Sequence, residues 1–197
     1  METVYLVRHP LTAWTGLRYT GRTDVPLTAG GRRQGDAIAA ELAARVTGAV
    51  GIVSSPLSRA RETASRIAEA GGWALVVDPR WREVDFGAAE GATFERVATS
   101  WPSVAERLLR GDRAIDWPGG ERWRELRSRV TAAWRDLLGE PFDVGIVVSH
   151  GGPIAVALER ALGTERLAAA ANVEPGEVLE LTAGDPCHLV RRWRSRP

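Results

Sequence analysis

The chain contains no lysine, so all 26 of its basic residues are arginine, and they face 25 acidic ones for a formal charge of +1. A balance so close to zero excludes a general polyanion binder, which needs an excess of cations. Any anion site here has to be built from guanidinium groups, whose planar forks hold phosphate oxygens two at a time. Cysteine is nearly missing as well. Cys187 stands alone, which excludes an intrachain disulfide and fits a reducing compartment. Its place in turn-forming sequence before a last apolar run argues against a catalytic thiol. No apolar run approaches the ~20 residues that a membrane helix needs. The first residues carry no basic region with a long apolar stretch behind it, so no secretory leader is expected. The cytoplasm is the expected location, and neither a membrane nor a nucleic acid is expected as a partner. Histidine is scarce, with three copies at His9, His150 and His188. None has metal-ligand spacing: there is no His-x-x-x-His, no cysteine pair and no acidic cluster beside them. Metal catalysis is the weaker reading, and no metal or cofactor is expected.

What is present suits one compact domain over 1–197, since 44% of the 197 residues are hydrophobic and 26% charged. Apolar runs of strand length occur at about 3–8, 50–54, 74–77, 144–149, 177–181 and 188–193. Helical patterns lie between them. Residues 30–46 form an alanine-rich helix, and another begins near Pro56, with Ser55 placed to cap it and proline at its first position. There Ala60, Ala64, Ile67 and Ala68 recur at three- and four-residue spacing and make one buried face. A long helix runs to about Leu138 with Trp123, Leu126, Val130, Ala133, Trp134 and Leu137 on one stripe. Alternating strands and helices predict an α/β three-layer sandwich, with a mostly parallel central sheet flanked by helices. Between about 90 and 120 the alternation lapses at Trp101-Pro102 and Trp117-Pro118-Gly119-Gly120. That stretch reads as a small helical insertion capping the active edge of the sheet. Of the eight tryptophans, several fall at core-facing helical positions. Trp14 is the exception, close behind the first histidine.

Two of the three histidines end strand-like runs. Val4-Tyr5-Leu6-Val7 leads into Arg8-His9-Pro10, and Gly145-Ile146-Val147-Val148 leads into Ser149-His150-Gly151-Gly152. Imidazole is the side chain best suited to nucleophilic or acid/base work near neutral pH. Both are delivered to the carboxyl edge of the sheet, where open α/β folds place ligands, just ahead of helix amino ends that attract anions. Arg59 falls in the first turn of the helix after the second strand. A cation is slightly unfavourable there unless an anion sits beside it. Arg61 points elsewhere and reads as a surface residue. The third strand leads into Glu83 and Asp85, two carboxylates past the same edge and candidates for acid/base chemistry. Together these groups supply what phosphate-ester hydrolysis without a metal requires: fixed cations, an in-line nucleophile and an acid for the departing oxygen.

Those residues carry a resemblance. Leu6-Val7-Arg8-His9-Pro10-Leu11-Thr12 is similar to the Arg-His-Gly-x-Thr signature of the histidine phosphatase superfamily, also called phosphoglycerate mutase-like. Ser54-Ser55-Pro56-Leu57-Ser58-Arg59-Ala60-Arg61-Glu62-Thr63-Ala64 resembles its second arginine motif. Glu83-Val84-Asp85-Phe86-Gly87 with Glu90-Gly91 resembles its acid loop, and Ser149-His150-Gly151-Gly152 its second histidine motif. The four stand in the family's order and span most of the chain. The resemblance implies that His9 attacks phosphorus and becomes a phosphohistidine. It implies that Arg8, Arg59, His150 and the Gly151 amide surround the phosphoryl oxygens, and that Glu83 protonates the leaving alcohol. Arg22, in Gly21-Arg22-Thr23-Asp24, matches a position near the substrate. Two departures stand out: Pro10 replaces the usual glycine and removes an amide donor, and Thr15 stands where a phosphate-contacting asparagine is common.

The resemblance also bears on substrate. A short capping insertion favours hydrolysis of a phosphomonoester over mutase chemistry. Tyr19-Thr20-Gly21-Arg22-Thr23-Asp24-Val25-Pro26-Leu27, the acid loop and Pro118-Gly119-Gly120-Glu121 resemble α-ribazole phosphatases, which implies α-ribazole 5′-phosphate, with Trp14, Tyr19 and Trp117 as an aromatic wall. A broad small-molecule phosphatase and a phosphoglycerate mutase-like enzyme are the alternatives inside the family. The competing class is a non-catalytic phosphate-binding protein. The joint presence of His9, Arg8, Arg59, Glu83 and His150 argues against it, because a binder needs neither nucleophile nor acid.

Overall fold

Six strands join into one mixed sheet in the order β3-β2-β4-β1-β5-β6 in the computed structural model, which describes residues 1–163, 172–184 and 186–195. In chain order the elements are β1 (Thr3–Arg8), α1 (Ala29–Arg45), β2 (Val50–Ser54), α2 (Ser58–Gly71), β3 (Leu75–Val77), α3 (Phe94–Ser100), α4 (Pro102–Leu109), α5 (Trp123–Gly139), β4 (Val144–Ser149), α6 (Gly151–Leu162), β5 (Glu177–Thr182) and β6 (His188–Arg194). β3, β2, β4 and β1 run parallel, while β5 is antiparallel to β1 and β6 to β5. The strand periodicity of two divides the core. Val4, Leu6 and Val147 pack with Leu126, Val130, Ile154 and Leu158 of α5 and α6. Tyr5, Val7, Ile146 and Val148 face Ile38, Leu42, Ala60 and Ile67 of α1 and α2. Both faces of β1, β2 and β4 are therefore buried, which is why their sequence reads as unbroken apolar runs, whereas β3, at the edge, leaves Val76 and Val77 exposed.

Two helix expectations differ. No helix opens just behind His9, since the chain turns and loops until α1 begins at Ala29, and of the two histidines only His150 leads directly into a helix. The start of α2 also shifts. α2 begins at Ser58, with Leu57 at the cap position and no side-chain cap bond from its own segment. Ser55 instead turns the chain, its Oγ accepting the Leu57 amide at 3.3 Å. The first helical amide donates to Asp24 Oδ1 at 2.7 Å, a cap from a distant loop. β4 lies between β1 and β2, and the chain leaves β1 toward α1 but leaves β4 toward α6, on the opposite layer. This is the topological switch point where open α/β sheets form a crevice. Among the described residues, no helix is long and apolar enough to cross a membrane.

Candidate active site

The β1–β4 register pairs Arg8 with Ser149, so the next residues, His9 and His150, emerge side by side. The His9 amide donates to the Ser149 carbonyl at 3.0 Å, and the two imidazole centroids are 5.0 Å apart. His9 Nδ1 lies 2.7 Å from the Pro10 carbonyl and donates its proton there. The other nitrogen, Nε2, keeps its lone pair and accepts from Arg59 Nε at 3.2 Å. Pro10 thus costs an amide donor, yet its carbonyl fixes the tautomer that leaves the lone pair on Nε2. Burial, with the Arg59 and Arg8 charges behind it, holds the His9 imidazole well below its ordinary pKa and keeps that lone pair unprotonated.

Arg59 is fully buried. Besides meeting His9, it donates to the Thr23 and Gly21 carbonyls at 2.9 and 2.7 Å. That loop is turned by Glu90, whose Oε1 accepts the Gly21 and Thr23 amides at 2.8 and 3.0 Å. A methyl at Gly21 would come within 2.6 Å of the Glu90 carboxylate, so the close approach requires glycine. His150 is also fully buried. Its Nε2 lies 2.7 Å from Ser55 Oγ. Among the described residues that buried hydroxyl has no other acceptor in reach, so its proton goes to Nε2, which leaves the imidazole proton on Nδ1. His150 Nδ1 and Arg8 Nε are both buried with no partner among the described residues. Each unmet donor costs about 1–3 kcal/mol, and an oxyanion would satisfy both.

Glu83 is 7% exposed. Its Oε1 accepts the Val84 and Gly152 amides at 2.9 and 3.1 Å. Burial raises its pKa despite those amides and the Arg8 and Arg59 charges, toward the protonated form that a general acid needs. The carboxyl sits where two cavities meet. One, of about 160 Å³, is lined by Arg8, His9, Thr12, Thr15 and Arg18. The other, of about 250 Å³, is lined by Gly151, Arg113, Trp117, Trp123 and Leu126. Tyr19, Phe86 and Glu83 border both.

The structure therefore brings together Arg8, His9, Arg59, Glu83 and His150, with Thr15 and Gly151 at the rims. Thr15 Oγ1 accepts the Thr12 amide at 2.9 Å. Arg22 is placed differently: half-exposed, paired with Asp85 at 3.5 Å, and lining neither cavity. The aromatic wall is also recast. Phe86 joins Tyr19 and Trp117 in one cluster, 5.4 and 4.5 Å from them, while Trp14 packs under Arg18 and against Gly91. Sequence reasoning missed Ser55 as the partner of His150. It also missed Gly152, whose missing side chain lets Glu83 approach, and Arg129 and Glu121 behind the acid. Glu90 had a signal, its place in the acid-loop motif. Arg129 had only its position three residues after Leu126, at the border of the apolar stripe of α5.

A cup offering oxyanion donors and an unprotonated imidazole nitrogen at once fits an enzyme of phosphoryl transfer, of phosphatase or mutase type. The chain is a member of the histidine phosphatase superfamily (branch 1), whose family model matches residues 4–195. It is similar to the probable phosphoglycerate mutase GpmB of Enterobacter sp. (strain 638), 36% identical over 165 residues, which covers 83% of this chain and 76% of that protein. Its fold is similar to that of a mycobacterial glucosyl-3-phosphoglycerate phosphatase, with TM-score 0.84 and 26% identity over 98% of this chain and 99% of that one. A Thermus thermophilus protein is 34% identical at TM-score 0.72, over 98% and 99% of the two chains.

Proposed function

We propose that this protein is a cytoplasmic, metal-independent phosphomonoester hydrolase that works through a phosphohistidine on a small phosphorylated metabolite. In the first step the His9 Nε2 lone pair forms a bond to phosphorus while the bond from phosphorus to the alcohol oxygen breaks. Glu83 gives its proton to that oxygen. In the second step water attacks phosphorus, Glu83 takes the water's proton, and the phosphorus–nitrogen bond breaks to release phosphate and restore His9. Dividing one displacement into two lowers each barrier. Arg8, Arg59, His150 and the amino end of α6 stabilise the phosphoryl charge in both steps. The observation that carries this reading is the pair of unpaired buried donors, Arg8 Nε and His150 Nδ1, beside an imidazole whose unprotonated Nε2 is held by Arg59. Residues 1–197 act as one domain, and the stretch at about 90–120 is its cap, supplying Leu108, Arg113 and Trp117 to the larger cavity.

For the leaving group, the Tyr19–Phe86–Trp117 cluster supports a base-bearing alcohol such as that of α-ribazole 5′-phosphate. A second reading, an alcohol that carries its own anion, is favoured by Arg113, which enters the same cavity with no ion pair or hydrogen bond among the described residues. The names of the relatives, phosphoglycerate chemistries, agree with the second. The test is a screen of phosphorylated metabolites in excess chelator, including α-ribazole 5′-phosphate and phosphoglycerates. Turnover is expected to persist, to vanish in His9→Ala, and to leave an acid-labile phosphoenzyme on quenching. Loss of turnover with chelator would favour a metal-dependent hydrolase. Phosphate binding without turnover on any ester would favour the binding protein.

A further inference from the structure

The segment carrying Glu83 is irregular backbone between short 3₁₀ turns at Pro79–Trp81 and Gly87–Ala89, so its carbonyls have no ladder to join. One side chain collects three of them. Arg129 of α5 donates through Nη1 to the Arg80 and Arg82 carbonyls at 2.6 and 2.7 Å. Its Nη2 donates to the Glu83 carbonyl at 3.1 Å. The remaining donors fork onto Glu121, Nε to Oε1 at 2.6 Å and Nη2 to Oε2 at 2.8 Å. All five N–H groups of the guanidinium are thereby used. Glu121 extends the contact by accepting the Asp85 amide at 3.4 Å. The two side chains are 18% and 7% exposed. An ion pair so removed from water pays a desolvation cost that its mutual attraction seldom exceeds by much, so its place here calls for a further reason.

The geometry of the acid supplies one. The Glu83 carboxylate is held on one side by the Gly152 amide at the start of α6, and its backbone on the other by Arg129 of α5. The two helices pack on each other, so acid and crevice share one frame. We propose that Arg129, with Glu121 as its counter-charge, is a positioning residue that fixes Glu83 at the junction of the two cavities; this rests on the phosphatase reading above. Arg129 lines neither cavity, while Glu121 borders the larger one. Arg129 therefore acts through the groups it holds, and two esters that meet that wall alike separate an effect on the acid from one on the wall. A lysine cannot replace it, because an ammonium has three donors and no planar fork.

The experiment compares kcat/KM for 4-nitrophenyl phosphate and phenyl phosphate, which share a shape but differ in how much the leaving oxygen needs a proton. This constant reports the step in which that bond breaks. The ratio of the two does not depend on how much of a preparation is folded, since both are measured on the same sample. In Arg129→Met a displacement of the acid on the order of 1 Å should lower phenyl phosphate turnover by ~10²-fold, with at most a few-fold loss on the activated ester. Arg129→Lys keeps the charge but should show the same selective defect. Should Arg129→Met fail to fold, Glu121→Gln keeps the shape and the three carbonyl bonds, and should move the ratio in the same direction by ~10-fold. A wild-type ratio in the folded variants, even with lowered melting temperatures, would overturn the positioning role and leave a purely structural one. If the unaltered protein hydrolysed neither these esters nor any ester of the metabolite screen, the phosphatase reading itself would fail and take this role with it.

Discussion

Gly152→Ala perturbs the acid by one added methyl, whose other close neighbour is the Val84 side chain. Gly152 lies in α6 and has no positive φ, so alanine meets no backbone strain there. Its added methyl would stand 2.5 Å from Glu83 Oε1 and 2.8 Å from Val84 Cγ2, whereas ordinary contact begins at 3.4 Å. Glu83 Cδ, at 3.7 Å, is not obstructed. The carboxylate oxygen therefore has to retreat by about 1 Å, and with it goes the bond to the Gly152 amide. A displacement of that size is worth ~10²-fold in rate, or about 2.7 kcal/mol of barrier. The loss should fall on phenyl phosphate and largely spare 4-nitrophenyl phosphate, as in Glu83→Gln. Replacing glycine within a helix returns about 0.5–1 kcal/mol, which offsets part of the strain at Val84, so the melting temperature should move by only a few degrees. Steady-state kcat/KM on both esters, with thermal denaturation of the same samples, gives the answer. Unchanged hydrolysis of phenyl phosphate would show that the carboxylate does not need its present place. An equal loss on both esters would show that Glu83 is not the proton donor.

In the proposed mechanism turnover requires His9 without its proton and Glu83 with one, the reverse of the ordinary order of ~6.5 and ~4.3. Burial shifts both in the needed direction, His9 down and Glu83 up. The acid limb of a pH profile of kcat/KM should then lie below the usual histidine range, and the alkaline limb above the usual carboxylate range; Glu83→Gln should abolish the alkaline limb alone. Because the folded pKa of Glu83 is raised, its ionisation opposes folding. Glu83→Gln should accordingly raise the melting temperature near neutral pH, with the gain fading as pH falls below both the folded and unfolded values. Ser55→Ala leaves His150 Nε2 buried without its hydroxyl donor, a cost of about 1–3 kcal/mol. Competitive inhibition by inorganic phosphate should weaken with it by ~10-fold or more, and an unchanged inhibition constant would remove Ser55 from the site.

Much of the site could be read from residues that act close to where they stand. Arg8 and His9 end a strand whose apolar run is visible in the sequence, and Gly151-Gly152 open a helix. Arg59 sits in a helix's first turn, where a cation needs a reason to be. Ser55 misleads because local sequence offers a hydroxyl before Pro56 only one use, as a helix cap. Its actual partner, His150, is 95 residues away. Nearness to His9 along the chain favours Trp14 over Phe86 for the aromatic wall, but the turn at 12–18 sends Trp14 toward Gly91. Arg22 matches a motif position, and its pairing with Asp85 depends on a contact between two loops.

By itself the sequence determined the strands, their alternation with helices, and the few groups able to hold and attack a phosphoryl centre. Periodicity and strand-end placement are properties of neighbouring residues and survive without any tertiary contact. Only the tertiary structure decided how the acid is held. Arg129 reaches the Glu83 carbonyl across 46 residues, and nothing in a polar position beside an apolar stripe distinguishes a surface arginine from one whose five donors are all used. That difference arises when α5 packs beside α6 and the sheet, which removes the guanidinium from water and leaves the acid-bearing segment as its nearest set of acceptors.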